Sequence, residues 1–361
     1  MNAVLEINAE AVIHNITYFK SKLHSTTKIV AVVKAFGYGS DSVLLAQILQ
    51  KKSVDYLAVA YTDEGVSLRN AGISLPIIVL HPQKDNLKTL VDYSLEPNIY
   101  SNFILCEFLT VIKQTKNKDY PIHLKFNTGL NRLGFGENDV ASVIDIINKE
   151  ASVMIATIFS HLAESDEIVD ETFTLKQISI FKNIQKTALS LLNYAPIFHL
   201  SNTSGIINYP DAEFDMVRLG IGMLGFDNAN NENLQNALTL KSVISQIHHL
   251  NKGDSVGYNR AFLSDKKIKI ATIAIGHADG ISRKLGNGNG YVIINNRKAK
   301  IVGNVCMDML MIDITAIDCN EGDEVVLFNS QQMIENMAVK INTIPYELLT
   351  LISQRVKRVR I

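Results

Sequence analysis

The chain contains the stretch Ile29-Val30-Ala31-Val32-Val33-Lys34-Ala35-Phe36-Gly37-Tyr38-Gly39, in which five apolar residues lead through a lysine into a glycine-rich turn. A short β-branched run with such a boundary is typical of a buried strand, so the amine of Lys34 stands where that strand ends. Apolar surroundings disfavour the charged form of a lysine, and the neutral amine can attack a carbonyl to form a Schiff base. A lysine here can also extend its amine to solvent, so the ends of the other strands decide between the two interpretations.

Eight short apolar runs alternate with segments of helical periodicity between residues 8 and 225. The intervening segments, such as residues 11–23, 42–50 and 64–71, place apolar residues three and four positions apart, as a helix that packs on a parallel sheet requires. Eight strands of this kind favour a closed, TIM-like (β/α)8 barrel over an open doubly wound sheet. The predicted strands are residues 29–33, 56–60, 76–80, 97–100, 122–126, 154–159, 197–200 and 216–219.

The pattern changes after a polar, asparagine-rich segment at residues 226–233. From residue 238 to residue 318 the apolar runs have the length of strands and are separated by turns, which predicts a mostly β domain. We therefore expect an α/β barrel domain at residues 1–228 and a C-terminal, mostly β domain at residues 229–361. Residues 4–7 alternate between apolar and polar side chains, and we expect them to pair outside the barrel, with the second domain.

The composition is that of an ordinary soluble globular protein, because 47% of the 361 residues are hydrophobic and 20% are charged. The formal net charge of −1 argues against a general attraction to nucleic acid, and the charges of residues 355–360 alternate with apolar residues, as in a solvated or inter-domain strand. Cys106, Cys306 and Cys319 have no metal-ligand spacing, so we expect free thiols, a reducing compartment and no metal site. The sequence shows neither a signal peptide nor an apolar stretch of membrane-spanning length, which predicts a cytoplasmic protein.

Polar side chains accumulate at the C-terminal ends of the predicted strands, where barrel enzymes have their active sites. A phosphate site between the seventh and eighth strands needs small hydroxyl or amide side chains and backbone N–H groups that glycine leaves open to a ligand. A Schiff-base lysine that faces such a site describes pyridoxal 5'-phosphate (PLP) held across the barrel mouth. The residues at these ends are Lys34 and Tyr38 after the first strand, Lys125, Asn127 and Arg132 around the fifth, His161 after the sixth, His199, Asn202 and Thr203 at the seventh, and Arg218, Gly220 and Gly222 at the eighth.

Several motifs follow one another nearly from end to end of the chain: Val33-Lys34-Ala35, His123-Leu124-Lys125, Asn131-Arg132-Leu133-Gly134-Phe135, Ser160-His161, Val217-Arg218-Leu219-Gly220, Ala278-Asp279-Gly280, Val305-Cys306-Met307-Asp308 and Pro345-Tyr346-Glu347. With these motifs at this spacing the chain resembles the bacterial alanine racemases, PLP enzymes built from a (β/α)8 barrel and a C-terminal β domain. The resemblance implies a two-base interconversion of L-alanine and D-alanine that supplies peptidoglycan precursors.

The resemblance also implies one base on each face of the substrate: Lys34, which carries PLP, and Tyr258. Moving a Cα proton in either direction requires such a pair, each within hydrogen-bond reach of that carbon. A phenol with an ordinary pKa of about 10 needs help to act as a base, and similar enzymes supply it through His161 and Arg218. Arg218 would also face the pyridine nitrogen of PLP. Because a guanidinium keeps its proton, that nitrogen stays unprotonated, which favours racemisation over transamination.

The other site residues follow from the resemblance, position by position. The groups that meet the substrate carboxylate are Arg132 and the backbone N–H of Met307, with Cys306 and Asp308 in support. The corridor by which substrate reaches the site contains His277, Arg283 and Asn304. The implied cofactor contacts are Tyr38, Thr203, Gly220, Ile221 and Tyr346 around the phosphate, and His199 and Asn202 along the cofactor.

Lys125 presents a physical conflict, because its ammonium group would crowd the guanidinium of Arg132 at low dielectric constant. In similar enzymes this lysine is carbamylated, and the resulting anion pairs with the arginine. We expect the same modification here, although Asn127 replaces the aspartate that is usual nearby. The resemblance further implies a head-to-tail homodimer with two shared active sites, since Tyr258 and Met307 enter from the partner subunit in such enzymes.

The chain departs from the usual family pattern at further positions. Phe36, Ser40 and Leu224 alter the packing behind PLP, and His277 and Asn304 replace a tyrosine and an arginine in the corridor. Three alternatives stay open. An amino-acid decarboxylase of the same architecture lacks a tyrosine base in this role, a racemase acting on serine or on many amino acids belongs to the same class, and a PLP-binding carrier without catalysis would not need the second domain.

Overall fold

Eight parallel strands close into a barrel in the N-terminal part of the chain, in a computed structural model that describes residues 3–52, 54–166, 168–227 and 232–361. A first strand, β1 (Ala3–Ile7), lies outside the barrel. All eight predicted barrel strands are confirmed, with ends that differ from the prediction by at most two residues. The barrel strands are β2 (Lys28–Val32), β3 (Tyr56–Val59), β4 (Ile77–Val79), β5 (Glu96–Ile99), β6 (Tyr120–Lys125), β7 (Val153–Phe159), β8 (Ile197–His199) and β9 (Met216–Leu219).

Amphipathic helices accompany the barrel strands. The helix Val140–Asn148 shows the pattern, since its buried residues Val140, Val143, Ile144 and Ile147 recur at helical spacing. Polar side chains cap the N-termini of several helices. The carboxylate of Asp41, for example, accepts a hydrogen bond from the backbone N–H of Leu44 at 2.9 Å. No helix in the described part of the chain is long and apolar enough to cross a membrane. The helices are Ala9–Lys20, Ser42–Gln50, Thr62–Asn70, Leu87–Asp92, Asn102–Ile112, Val140–Asn148, Thr172–Leu191, Thr203–Asn208, Gln331–Ile341 and Pro345–Thr350.

A second, largely antiparallel sheet contains most of the C-terminal part, so the mostly β character predicted for it is confirmed. The predicted domain border between residues 228 and 229 lies outside the described residues. The strands are β10 (Leu238–Leu250), β11 (Ser255–Val256), β12 (Phe262–Leu263), β13 (Ile268–Ile273), β14 (Tyr291–Ile294), β15 (Arg297–Val302), β16 (Leu310–Asp313), β17 (Glu324–Phe328) and β18 (Lys357–Arg360).

Strand β1 belongs to this second sheet, although it precedes the barrel in the sequence. The order of strands is β13-β16-β15-β14-β17-β10-β1-β18, with β11 and β12 paired separately. Strand β1 pairs antiparallel with β10 on one side and parallel with β18 on the other. The predicted pairing of residues 4–7 with the second domain is therefore confirmed, and the predicted strand at the end of the chain, β18, lies beside β1 at the edge of the same sheet.

The turn after β2 has a left-handed backbone. Its φ angles are +52° at Ala35, +54° at Phe36, +62° at Gly37, +56° at Tyr38 and +81° at Gly39. Glycine adopts this conformation without a steric penalty, whereas other residues pay about 1–2 kcal/mol each. The predicted glycine-rich turn is thus present, and its handedness brings both Lys34 and Tyr38 to the wall of one cavity.

Candidate active site

A cavity of about 930 Å³ opens at the C-terminal ends of the barrel strands. This is the end of a barrel at which enzymes place their active sites. The helix Pro345–Thr350 of the C-terminal part closes one side of it with Ile344, Tyr346 and Glu347. Eleven of the residues predicted from the sequence line the cavity together: Lys34, Tyr38, Lys125, Arg132, His161, Asn202, Thr203, Arg218, Gly220, Ile221 and Tyr346.

Lys34 lies two residues after the end of β2 and is half-buried in the cavity wall. Burial, followed by the positive charge of Arg132, lowers the pKa of its amine, which favours the neutral, nucleophilic form. The carboxylate of Glu64 holds the backbone around the lysine, accepting hydrogen bonds from the N–H groups of Ala35 and Ala60 at 2.6 Å each. Sequence reasoning missed Glu64, although its place in the first turn of a helix that follows a barrel strand could have indicated such a role.

A compact cradle forms between the ends of β8 and β9. The backbone N–H of Gly220 donates to the Thr203 hydroxyl at 3.2 Å, and the side chain of Asn202 caps the helix that Thr203 begins. A Cβ at Gly220 would lie 2.5 Å from the hydroxyl oxygen of Tyr38, so only glycine leaves room for that hydroxyl beside the backbone of the cradle. The Tyr38 ring meets Tyr346 edge to face, and burial raises the pKa of both phenols, that of Tyr346 to about 12. Both tyrosines therefore stay neutral hydrogen-bond donors at physiological pH.

Arg218 lies in β9 with its guanidinium buried beneath the cavity. Its NH1 donates to Nδ1 of His199 at 2.8 Å, and its NH2 lies 3.0 Å from Nδ1 of His161. Burial, followed by the charge of Arg132, lowers the pKa of Arg218 to about 9, so the group still carries its proton at neutral pH. A buried donor without an acidic hydrogen-bond partner among the described residues suits a neutral acceptor such as a pyridine nitrogen.

The two histidines beside Arg218 are both neutral acceptors toward it. Burial, and then the arginine charge, hold the pKa of His161 and the pKa of His199 well below their ordinary values. A neutral ring that accepts at Nδ1 carries its hydrogen on Nε2. His161 lines the cavity, whereas His199 is fully buried behind it and stacks on the ring of Phe159 with centroids 4.7 Å apart.

The ring of Phe159 is also close to two cations of the site, which the sequence did not indicate. The ammonium of Lys125 lies 5.6 Å and the guanidinium carbon of Arg218 lies 5.5 Å from its ring centroid. Burial, and then the charges of Arg218 and Arg132, lower the pKa of Lys125 to about 7. The Lys125 amine is thus largely available in its neutral form just above neutral pH.

The loop that carries Arg132 is held by the side chain of Asn127. Its Oδ1 accepts from the backbone N–H of Gly129 at 3.1 Å and of Asn131 at 3.0 Å, and its Nδ2 donates to Oδ1 of Asn131 at 2.8 Å. An amide can make all three contacts, because it is both donor and acceptor, whereas an aspartate could not donate. The departure at position 127 therefore leaves the loop around Arg132 well ordered.

Comparisons with known proteins identify the family. The family model described as "Alanine racemase, N-terminal domain" matches residues 7–228, and the one described as "Alanine racemase, C-terminal domain" matches residues 237–360. The chain belongs to the alanine racemase family.

Individual relatives are similar to this chain over nearly its full length. Alanine racemase 2 of Oceanobacillus iheyensis is 36% identical over 366 residues, which cover 98% of this chain and 92% of the relative. Among solved structures, the alanine racemase of Clostridium difficile 630 has a TM-score of 0.94 at 33% identity and covers 100% of this chain and 96% of its own. The alanine racemase of Bartonella henselae with covalently bound pyridoxal phosphate has a TM-score of 0.90 at 28% identity and covers 100% of both chains.

In this member of the alanine racemase family, a second group of predicted residues lies away from the chain's own cavity. Tyr258 is 72% exposed and Met307 is 59% exposed, and neither lines the cavity. Hydrogen bonds connect members of this exposed group, with the backbone N–H of His277 donating to the carbonyl of Cys306 at 2.9 Å and the side-chain Nδ2 of Asn304 donating to the carbonyl of Tyr258 at 3.2 Å. The members of this group are Tyr258, His277, Arg283, Asn304, Cys306, Met307 and Asp308.

Arg355 fixes one edge of the exposed group and was also missed from the sequence. Its guanidinium lies 2.6 Å from a carboxylate oxygen of Asp279 and 2.7 Å from one of Asp308. The N–H of Ala278 donates to the carbonyl of Met307 at 2.9 Å, so the two short loops are joined by backbone and by side chains. Arg355 precedes β18, which explains why an alternating pattern at residues 355–360 did not reveal its role.

The residues of the cavity fit the cofactor of this alanine racemase family. The wall contains two arginines, Arg132 and Arg218, two lysines, Lys34 and Lys125, and one carboxylate, Glu347, a balance of charges that suits an anionic cofactor. A Cβ at Gly222 would lie 2.6 Å from the methyl carbon of Thr203, so glycine at this position lets the backbone pack closely against the cradle. Lys34 and Arg218 provide an amine for an aldehyde and a donor for a ring nitrogen within the same cavity.

Proposed function

We propose that this chain is an alanine racemase that uses pyridoxal 5'-phosphate to interconvert L-alanine and D-alanine. One observation carries the proposal: a lysine with a lowered pKa, a glycine cradle and a buried, cationic Arg218 all meet at the mouth of one barrel. The family membership supports the same reaction. A carboxylate in the place of Arg218 would favour other PLP chemistry, because it would accept a hydrogen bond from the ring nitrogen and so keep that nitrogen protonated.

The cofactor contacts follow from the cradle. Tyr38 and Tyr346 would donate hydrogen bonds to the phosphate, and the Thr203 side chain and the backbone beside Gly220 and Ile221, which line the same cavity, would complete its surroundings. Asn202 lines the same wall, while His199 acts indirectly by holding Arg218. When bound, PLP withdraws electrons from the substrate Cα and makes its proton labile.

Two residues of this chain move the proton at Cα. Nζ of Lys34 takes it or returns it on one face, and the hydroxyl oxygen of Tyr258 does so on the other. Because Nδ1 of His161 faces Arg218, its Nε2–H is free to donate to the phenolate of Tyr258 and to stabilise it. The exposure of Tyr258 supports a head-to-tail homodimer in which this tyrosine enters the partner's cavity.

The substrate carboxylate meets Arg132 and the backbone N–H of Met307, with Cys306 and Asp308 shaping the loop. Lys125 is carbamylated, and its anion pairs with Arg132 instead of repelling it. His277, Arg283 and Asn304 border the corridor into the shared site. The protein acts in the cytoplasm, where D-alanine serves as a precursor of peptidoglycan.

The purified protein tests the proposal directly. We expect a yellow protein, a single borohydride-reduced peptide that contains Lys34, and loss of optical rotation when L-alanine is added. A reduced peptide from another part of the chain, or stable rotation, would refute the proposed function.

Two further assays separate the alternatives. Release of carbon dioxide from basic amino acids would identify a decarboxylase, and faster loss of rotation with L-serine than with L-alanine would identify a different racemase. Tyr258→Phe should abolish racemisation while the protein stays yellow, and full activity of this variant would contradict the two-base mechanism.

A further inference from the structure

A line of buried polar side chains crosses the barrel beneath the cavity, with one residue from each of five neighbouring strands. It begins at Arg218 on β9 and ends at Glu96 on β5. Between them lie His199 on β8, Thr157 on β7 and His123 on β6, all three with no exposed surface. The consecutive distances are 2.8 Å from Arg218 to His199, 3.0 Å from His199 to Thr157, 2.8 Å from Thr157 to His123 and 2.8 Å from His123 to Glu96.

The two ends of this line fix the direction of every hydrogen bond in it. A guanidinium only donates, so Nδ1 of His199 accepts and its Nε2 carries the hydrogen. This hydrogen points at Oγ1 of Thr157, which leaves the hydroxyl hydrogen to be donated onward. At the other end, a carboxylate oxygen accepts, so Nε2 of His123 donates to Glu96.

Thr157 is the group that makes the two halves compatible. Its hydroxyl accepts from His199 and donates to Nδ1 of His123, so each ring needs only one hydrogen. If Nδ1 of His123 carried a hydrogen instead, the Thr157 hydroxyl would receive two donors. Its own hydrogen would then have no acceptor among the contacts of the described residues, which a fully buried hydroxyl does not tolerate without cost.

We infer that Thr157 is a positioning residue of the active site, because its hydroxyl fixes the tautomer of His199 and with it the acceptor that orients Arg218. In the opposite tautomer, an N–H at Nδ1 would face the N–H of the guanidinium and push it out of place. For its effect on the reaction this inference rests on the proposed function. The hydrogen positions, however, can be measured independently of any activity.

Neutron diffraction from deuterium-exchanged crystals of the PLP-bound protein tests the direction of the line. We expect deuterons on Nε2 of both His199 and His123, none on either Nδ1, and the Thr157 deuteron directed at His123. A deuteron on Nδ1 of His199, or a Thr157 hydroxyl directed elsewhere, overturns the inference. If the expected deuterons are found in a protein that does not racemise alanine, the proposed function fails and the hydrogen-bond line stands.

Substitutions at Thr157 test its role in orientation. Thr157→Val keeps the shape and removes the hydroxyl, and we expect kcat to fall about tenfold, as the loss of one buried hydrogen bond predicts, with KM for alanine changed less than about twofold. Thr157→Ser should restore kcat. Thr110→Val is the matched control, because Thr110 is exposed and its hydroxyl donates to the Cys106 carbonyl within its own helix. Unchanged kcat in Thr157→Val, or an equal loss of kcat in Thr157→Ser, contradicts the positioning role. If the valine variant does not fold, the neutron experiment alone tests the inference.

Discussion

Gly39 and Leu349 touch through their backbones. A Cβ added at Gly39 would lie 1.9 Å from the carbonyl oxygen of Leu349. Gly39 ends the left-handed turn that follows Lys34, and Leu349 belongs to the helix that carries Tyr346. The lysine of the barrel and a cavity-lining tyrosine of the C-terminal part are therefore positioned by the same close contact.

This contact predicts that Gly39→Ala is severely destabilising. Gly39 has a φ of +81°, and the atom it would meet is backbone, which cannot rotate away. We expect a loss of about 2–5 kcal/mol in the free energy of unfolding, measured in urea, together with weaker PLP binding. Gly72→Ala is the matched control, since Gly72 has the same φ and nothing within 4 Å. It should lose only about 1–2 kcal/mol, and equal losses in the two variants would show that the contact is unimportant.

The left-handed turn also contains a strained and exposed aromatic residue. Phe36 has a φ of +54° and is 53% exposed, whereas asparagine tolerates this backbone conformation well. Phe36→Asn should therefore raise the free energy of unfolding by about 1 kcal/mol. Phe36→Leu removes the ring but keeps the backbone penalty, so the leucine variant should not gain. A gain of the same size in both variants would assign the effect to the ring rather than to the backbone.

Carbamylation of Lys125 should depend on pH around neutrality. Carbon dioxide reacts with the neutral amine, forming an N–C bond and releasing one proton, and the pKa of Lys125 is lowered to about 7. We expect incorporation of ¹³C-labelled carbon dioxide, followed by NMR, to rise between about pH 6 and pH 8. Lys125→Met should abolish the labelled signal. Labelling that begins only above about pH 9 would mean that the amine behaves as an exposed lysine.

The lowered pKa of Lys125 also predicts how the free energy of unfolding changes with pH in buffer free of carbon dioxide. Between about pH 7 and pH 10.5 the unfolded chain holds a proton on Lys125 that the folded chain has released. The unfolded state thus binds more protons, and the contribution of this residue to stability rises with pH across the window. We expect chemical unfolding at several pH values to show that the free energy of unfolding rises less steeply with pH in Lys125→Met than in the unsubstituted protein.

A shared active site can be tested with a heterodimer. One subunit carries Lys34→Ala and the other carries Tyr258→Phe, and differently tagged subunits allow the mixed dimer to be purified. If Tyr258 serves the partner's cavity, one of the two sites is intact and the activity should be about half that of the unsubstituted dimer. If each chain forms its own site, both sites are defective and the heterodimer is as inactive as the two homodimeric variants.

Arg355 should affect substrate binding more than turnover. Its guanidinium pairs with Asp308, next to the Met307 backbone that is proposed to meet the substrate carboxylate. Arg355→Gln should raise KM for alanine about tenfold with little change in kcat. Arg360→Gln, on an exposed residue of the neighbouring strand, should leave both constants unchanged. A fall in kcat alone would indicate a different role.

The positions of the barrel strands were predictable because strands such as β2 and β4 are buried on both faces and read as short apolar runs rich in β-branched residues. The site residues at their ends followed from the same pattern, since the ends of parallel strands converge. Contacts across strands were not predictable. Thr157 reads as an ordinary β-branched strand residue, and only the registers of β6, β7 and β8 place its hydroxyl between two histidines.

Other features could not be predicted from the sequence, because they depend on backbone conformation or on contacts between residues far apart in the chain. Phe36 gives no sign in the sequence of a left-handed φ, because aromatic residues rarely adopt one. Arg355 belongs to a segment predicted as a solvated or inter-domain strand, but β18 begins only at Lys357, and the arginine side chain turns back to Asp279 and Asp308. Such contacts between loops far apart in sequence leave no periodic signal.

The position of β1 has a consequence for biosynthesis. This strand is translated before both of its hydrogen-bonding partners, which are residues 238–242 on one side and residues 357–360 on the other. The barrel can therefore assemble while translation continues, but both edges of β1 remain unpaired until much later segments have appeared. During that interval an exposed edge can recruit strands from other nascent chains, so we expect this segment to be where molecular chaperones act first.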